Sequence, residues 1–81
     1  MNKDAVKNII EATLKSGNKT PGLLDVPKAL SVKSKLEACS AIPEVIGILE
    51  DRRSFITKSF GVSDSAYNEA IEKIKTLGDA A

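Results

Sequence analysis

The last third of the chain constrains the fold most tightly. Ala66, Tyr67, Ala70, Ile71, Ile74 and Leu77 recur at intervals that gather them on one face of a helix over about residues 64 to 77. Gly61 precedes it as a helix stop, Ser63 as its N-cap, and Gly78 follows as its terminator. A helix with one apolar stripe must bury that stripe, and an 81-residue chain offers one small core to bury it in.

The same spacing predicts three more helices. The first covers about 3 to 16, with Val6, Ile9, Ile10, Thr13 and Leu14 inward and Lys7, Glu11 and Lys15 opposite, ending at Gly17-Asn18. A second covers about 31 to 41, with Ser31 as N-cap and Val32, Leu36 and Cys39 as its inner stripe. The third runs from Pro43 to Ser59 without interruption, Pro43 and Glu44 in its first turn and Val45, Ile46, Leu49, Ile56 and Phe60 inward. Residues 17 to 28 contain Pro21, Gly22 and Pro27 and read as a long ordered connection. Its Leu23, Leu24 and Val26 are expected to lie over the end of the bundle, the alternative being a binding loop. No segment alternates as a strand does. The expected fold is all-α: one domain over 1–81, a bundle of four helices with short connections and one longer loop, the last two helices forming the tightest hairpin and the first packing across them.

Apolar residues make up 42% and charged residues 28%, a composition that folds. The net charge of +1 supplies no uniform field toward nucleic acid or an anionic membrane. Residues 1 to 35 carry seven Lys and three acids, residues 36 to 81 five basic and eight acidic side chains, a drift that reads as two solvated faces. The N-terminus has no apolar targeting run, and no stretch approaches the ~18 apolar residues of a membrane span, so a cytoplasmic protein without membrane contact is expected.

Chemistry finds few tools here. There is no His, so the usual general base and the usual zinc ligand are both missing. Cys39 is the only cysteine, which excludes an internal disulfide and leaves it the role of a small buried hydrophobe. Glu50 and Asp51 are adjacent but diverge around a helix, and the five glycines are too isolated for a phosphate cradle. The expectation is a non-enzymatic protein with no catalytic residue, metal or cofactor. Nor is a small-molecule substrate implied, because the core is expected to be too small to leave a cavity.

Residues 53 to 74 carry the sharpest motif. Within them Ile56-Thr57-Lys58-Ser59-Phe60-Gly61-Val62-Ser63-Asp64-Ser65-Ala66-Tyr67-Asn68-Glu69-Ala70-Ile71 resembles the helix-turn-helix of phage Cro-type repressors. Gly61 permits a left-handed turn, Phe60 and Val62 pin the two helices, and Tyr67 and Ala70 face the first of them. The resemblance implies DNA contacts from Ser63, Asp64, Ser65, Asn68 and Glu69, with Asn68 suited to adenine, and Arg52, Arg53 and Lys58 near phosphates. The other reading is a structural corner, since helix, glycine and helix also join an ordinary antiparallel bundle, and Asp64, Glu69 and Glu72 would face the polyanion.

Phe55 falls out of phase with Leu49 and Phe60, and with Ile48 and Arg52 it forms a candidate surface patch of the composition that protein interfaces use. The function expected from these features is a protein-interaction or regulatory module, docking on another protein or on a copy of itself. The alternative is a helix-turn-helix DNA-binding protein.

Overall fold

A computed structural model describes residues 1–77; the expected helix terminator Gly78 lies outside the described residues. The described residues form five α-helices and no strand: α1 (Lys3–Ser16), α2 (Val26–Ala38), α3 (Ile42–Asp51), α4 (Arg53–Phe60) and α5 (Asp64–Leu77). The all-α class holds, but the number of helices is five rather than four.

The extra helix comes from a break at Arg52, whose φ of −103° and ψ of 12° leave the helical basin between α3 and α4. Neither proline nor glycine marks the spot. The break has a tertiary companion: Tyr67 in α5 donates to the Leu49 carbonyl at 2.6 Å, the carbonyl that a continuous helix would offer to the Arg53 N–H.

Helix α2 begins five residues earlier than its spacing predicts and ends three earlier. The chain winds into it from Gly22, whose carbonyl accepts from the Asp25 and Val26 N–H groups, and Pro27 sits in the first turn, where a missing N–H costs nothing. Pro27 is therefore a helix opener here, and the connection shortens to residues 17–25. Ser31 lies inside the helix and Asp25 takes the N-cap position without a side-chain capping bond.

Other local signals behave as read. The Ser63 hydroxyl accepts from the Ala66 N–H at 3.1 Å and caps α5; α1 is capped as well, by the Asn2 side chain accepting from the Ala5 N–H at 3.1 Å, a cap not singled out from the sequence. Gly61 ends α4 in the left-handed region, at φ 64°. Gly17 needs no such freedom, with φ −71°, yet a Cβ there would collide with the Phe60 carbonyl. The Lys19 N–H bonds that same carbonyl at 3.1 Å, so the end of α1 is locked onto the turn between α4 and α5.

Helix α5 is the hub. It packs most extensively against α1, then α3 and α4, while α2 leans on α3. Val45 and Ile74 are fully buried, and Val6, Val32, Cys39, Ile42, Leu49, Ile56, Val62, Tyr67 and Ile71 complete the core. The expected pairing is thus partly reversed, since α5 meets α1 more broadly than its hairpin neighbour α4.

Candidate functional site

Because α2 leans on α3 rather than on α1, the two helices stand apart and leave an open groove of about 370 Å³. Met1, Val6, Ile10 and Leu14 wall it from α1 and its approach, Ala29, Val32 and Leu36 from α2, and Leu49, Phe55, Ile56, Phe60, Tyr67 and Ile71 contribute from the other helices. The size falls within the range of ordinary binding clefts. A groove of this size is not expected from the sequence, which reads the core as too small to leave a cavity.

The rim is charged and balanced. Lys3, Asp4, Lys7 and Glu11 edge it from the α1 side and Lys33 and Glu37 from α2, three of each sign. Lys3 Nζ reaches the Glu37 carbonyl at 3.4 Å and ties the start of α1 to the end of α2.

Outside the groove lining, apolar side chains of the connection and of α2 are exposed. Leu23 and Leu24 are 92% and 94% exposed, and Leu30 and Val26 are 59% and 41% exposed. This corrects the expectation that the connection lays its leucines over the bundle: they point into solvent. Leu30 sits about 160° around α2 from the buried Val32, so this helix is apolar on two sides. That second stripe is the available sequence signal, and it is hidden because residues 17 to 28 read as a connection and the helix is expected to start only at Ser31.

The patch proposed from sequence is less open. Ile48 and Phe55 are half-buried and pack on the core, Phe55 faces the groove with Lys28 Nζ 4.9 Å from its ring centre, and half-buried Arg52 pairs with Asp51 at 3.5 Å. Of the three, only Phe55 belongs to the groove.

The candidate DNA-contact residues gather at the other corner. Arg53 donates to Asn68 Oδ1 at 2.6 Å, lies 3.6 Å from Glu50 and 3.8 Å from Asp64, and stacks 5.0 Å from the Tyr67 ring centre. Ser63, Ser65, Asn68 and Lys58 are exposed, and so are Asp64, Glu69 and Glu72. The break at Arg52 makes α4 eight residues long, a short first helix before the glycine turn, where an unbroken helix from Pro43 was expected.

Cys39 is buried and donates to the Lys35 carbonyl at 3.2 Å; burial first, then the nearby Glu44, pushes its thiol above the ordinary range, against a smaller opposing pull from Lys3. A protonated, enclosed thiol is a poor nucleophile. Among the described residues no three Cys, Asp or Glu side chains gather as a metal site, and no helix is long and apolar enough to cross a membrane.

No protein-family model matches the chain, and neither the curated proteins nor the solved structures compared with it gave a match. The likeness to Cro-type repressors therefore rests on residues 53 to 74 alone.

Proposed function

We propose that this chain is a non-enzymatic protein-interaction module whose groove between α1 and α2 receives the apolar face of a helix. The observation that carries the reading is the open apolar groove, to which exposed Leu23, Leu24 and Leu30 add uncovered apolar surface elsewhere on the chain. Exposed apolar surface marks interaction sites, and an apolar trough between two helices suits side chains spaced three and four apart on a docking helix. The balanced rim favours a partner of mixed charge over a polyanion. An environment-sensitive apolar dye tests the groove directly. It should brighten with the native chain and lose most of that signal with Leu36→Glu, while circular dichroism shows the helices retained; no brightening with the native chain contradicts the reading.

A DNA-binding role is the second reading, favoured by the eight-residue α4 and the left-handed Gly61 between two helices. Charge weighs against it. The solvated side of α5 carries Asp64, Glu69 and Glu72, and Arg53 is engaged by Asn68 and two acids, whereas phosphate neutralisation supplies most non-specific affinity. Titration with random duplex DNA at low salt decides it, and the absence of binding there eliminates this role.

A further inference from the structure

We infer that the start of α2 and the connection before it form a docking surface for an anionic phospholipid membrane, Leu23 and Leu24 entering the hydrocarbon and the flanking lysines meeting the headgroups.

A net charge of +1 averages two unlike parts of the chain. Residues 15–35 carry five lysines against one acid, Asp25, and the other 60 residues carry seven basic and ten acidic side chains. Glu11 and Glu37 mark where the positive stretch ends. All five lysines are exposed and Asp25 is half-buried. Among the described residues none of the five pairs with an acid, whereas Arg52, Arg53 and Lys75 do. Lys28 lies over the Phe55 ring and is still exposed. The expected lack of membrane contact rests on the low net charge and the missing span, whereas surface binding needs only a local positive patch and apolar side chains to insert.

The same stretch holds the most exposed leucines. Leu23 and Leu24 are almost wholly in solvent, and Val26 and Leu30 are exposed after them. Both ends of the connection are held: the Lys19 N–H bonds the Phe60 carbonyl, and the Gly22 carbonyl accepts from the Asp25 and Val26 N–H groups. The leucines therefore stand out on an ordered turn. Helical winding from Gly22 sets Lys28 one turn beyond Leu24, Lys33 follows Leu30 by three residues, and Lys19 lies four residues before Leu23. A protein partner would need a matching pocket for side chains that project so far. Fluid hydrocarbon needs none, and a lysine stem lies along it while the ammonium reaches the phosphates. Each lysine near an anionic surface multiplies binding by about fivefold and each buried leucine by about tenfold or more, so neither signal suffices alone and the two act together.

Co-sedimentation with vesicles tests this. At low salt the native chain should pellet with vesicles of about one-third phosphatidylserine in phosphatidylcholine, and not with phosphatidylcholine alone. Leu23→Ser combined with Leu24→Ser should weaken that binding by about a hundredfold with helical circular dichroism unchanged. Lys19→Gln should weaken it by about fivefold, an effect that salt diminishes. The chain has no tryptophan, so Leu24→Trp reports insertion, and its emission should move to the blue on the mixed vesicles alone. Binding that survives loss of both leucines, or an unshifted tryptophan on the bound chain, leaves charge alone and overturns the inference. Equal binding to both kinds of vesicle contradicts it too. No binding to either also overturns it and leaves the patch to a soluble protein partner.

Discussion

The Tyr67 hydroxyl donates a 2.6 Å hydrogen bond to the backbone carbonyl of Leu49, and through it α5 holds the last turn of α3. The final carbonyls of a helix have no partner within it, and a buried one must find another. Tyr67 is itself buried, so the bond joins two groups that water does not reach. Its acceptor lies two residues before α3 ends and gives way to α4, so the bond anchors the bundle's central helix to the end of α3.

Replacing that tyrosine with phenylalanine preserves the ring and strands the carbonyl. Tyr67→Phe should cost about 1–3 kcal/mol, the penalty for a buried acceptor left alone. In a domain this size each 1 kcal/mol lowers the midpoint by about 4–8 °C, which thermal denaturation followed by circular dichroism will read. An unchanged midpoint would mean that the bond is not held in solution.

The same hydroxyl makes stability pH-dependent at the alkaline end. Burial, opposed by Arg53 and reinforced by Glu50, pushes Tyr67 from its ordinary 10 up to about 12. The unfolded chain therefore loses this proton first, so the contribution is complete below pH 10 and disappears as the pH rises toward 12. Cys39, raised from 9.0 mainly by burial, acts with the same sign beginning at lower pH. Denaturant unfolding at stepped pH should show a decline between pH 10 and 12 that is shallower in Tyr67→Phe; identical slopes would remove Tyr67 as its cause.

Two glycines where α1 meets the turn between α4 and α5 should differ in why they resist substitution. A Cβ on Gly17 meets the Phe60 carbonyl and Val62, so Gly17→Ala should cost about 1–3 kcal/mol by overpacking although its backbone angles suit alanine. Gly61→Ala adds the left-handed penalty of about 1–2 kcal/mol to a clash with the Asn18 side chain. Asn18→Gly should recover part of the second loss and none of the first, as urea midpoints for the five chains will show.

Much of this architecture is visible in the sequence because it is local. The cap at Ser63, the stop at Gly61 and the stripe of α5 depend on neighbours a few residues away. The break at Arg52 does not, since the Tyr67 hydroxyl arrives from another helix. Pro27 misled for a related reason: the same residue stops a helix or opens one, and the difference lies in the turn from Gly22 that precedes it. The groove was least legible of all. Periodicity identifies which face of α2 is apolar, but which helix that face leans on is a property of the assembled bundle.

Leucines that lie in solvent should be dispensable for folding. Leu23→Ser and Leu24→Ser, singly or together, should change stability by no more than about 0.5 kcal/mol, as surface substitutions do, measured by urea denaturation. Leucines packed over the bundle would instead cost about 2–5 kcal/mol on truncation.

Paramagnetic relaxation of methyl signals by a soluble probe reads the open groove most directly. The methyls of Leu23 and Leu24 should relax fastest, those of Ile10 and Leu36 in the groove walls clearly, and those of Val45 and Ile74 least. Groove and connection methyls as sheltered as Val45 would mean that α1 and α2 close on each other, and the interaction surface proposed here would not exist.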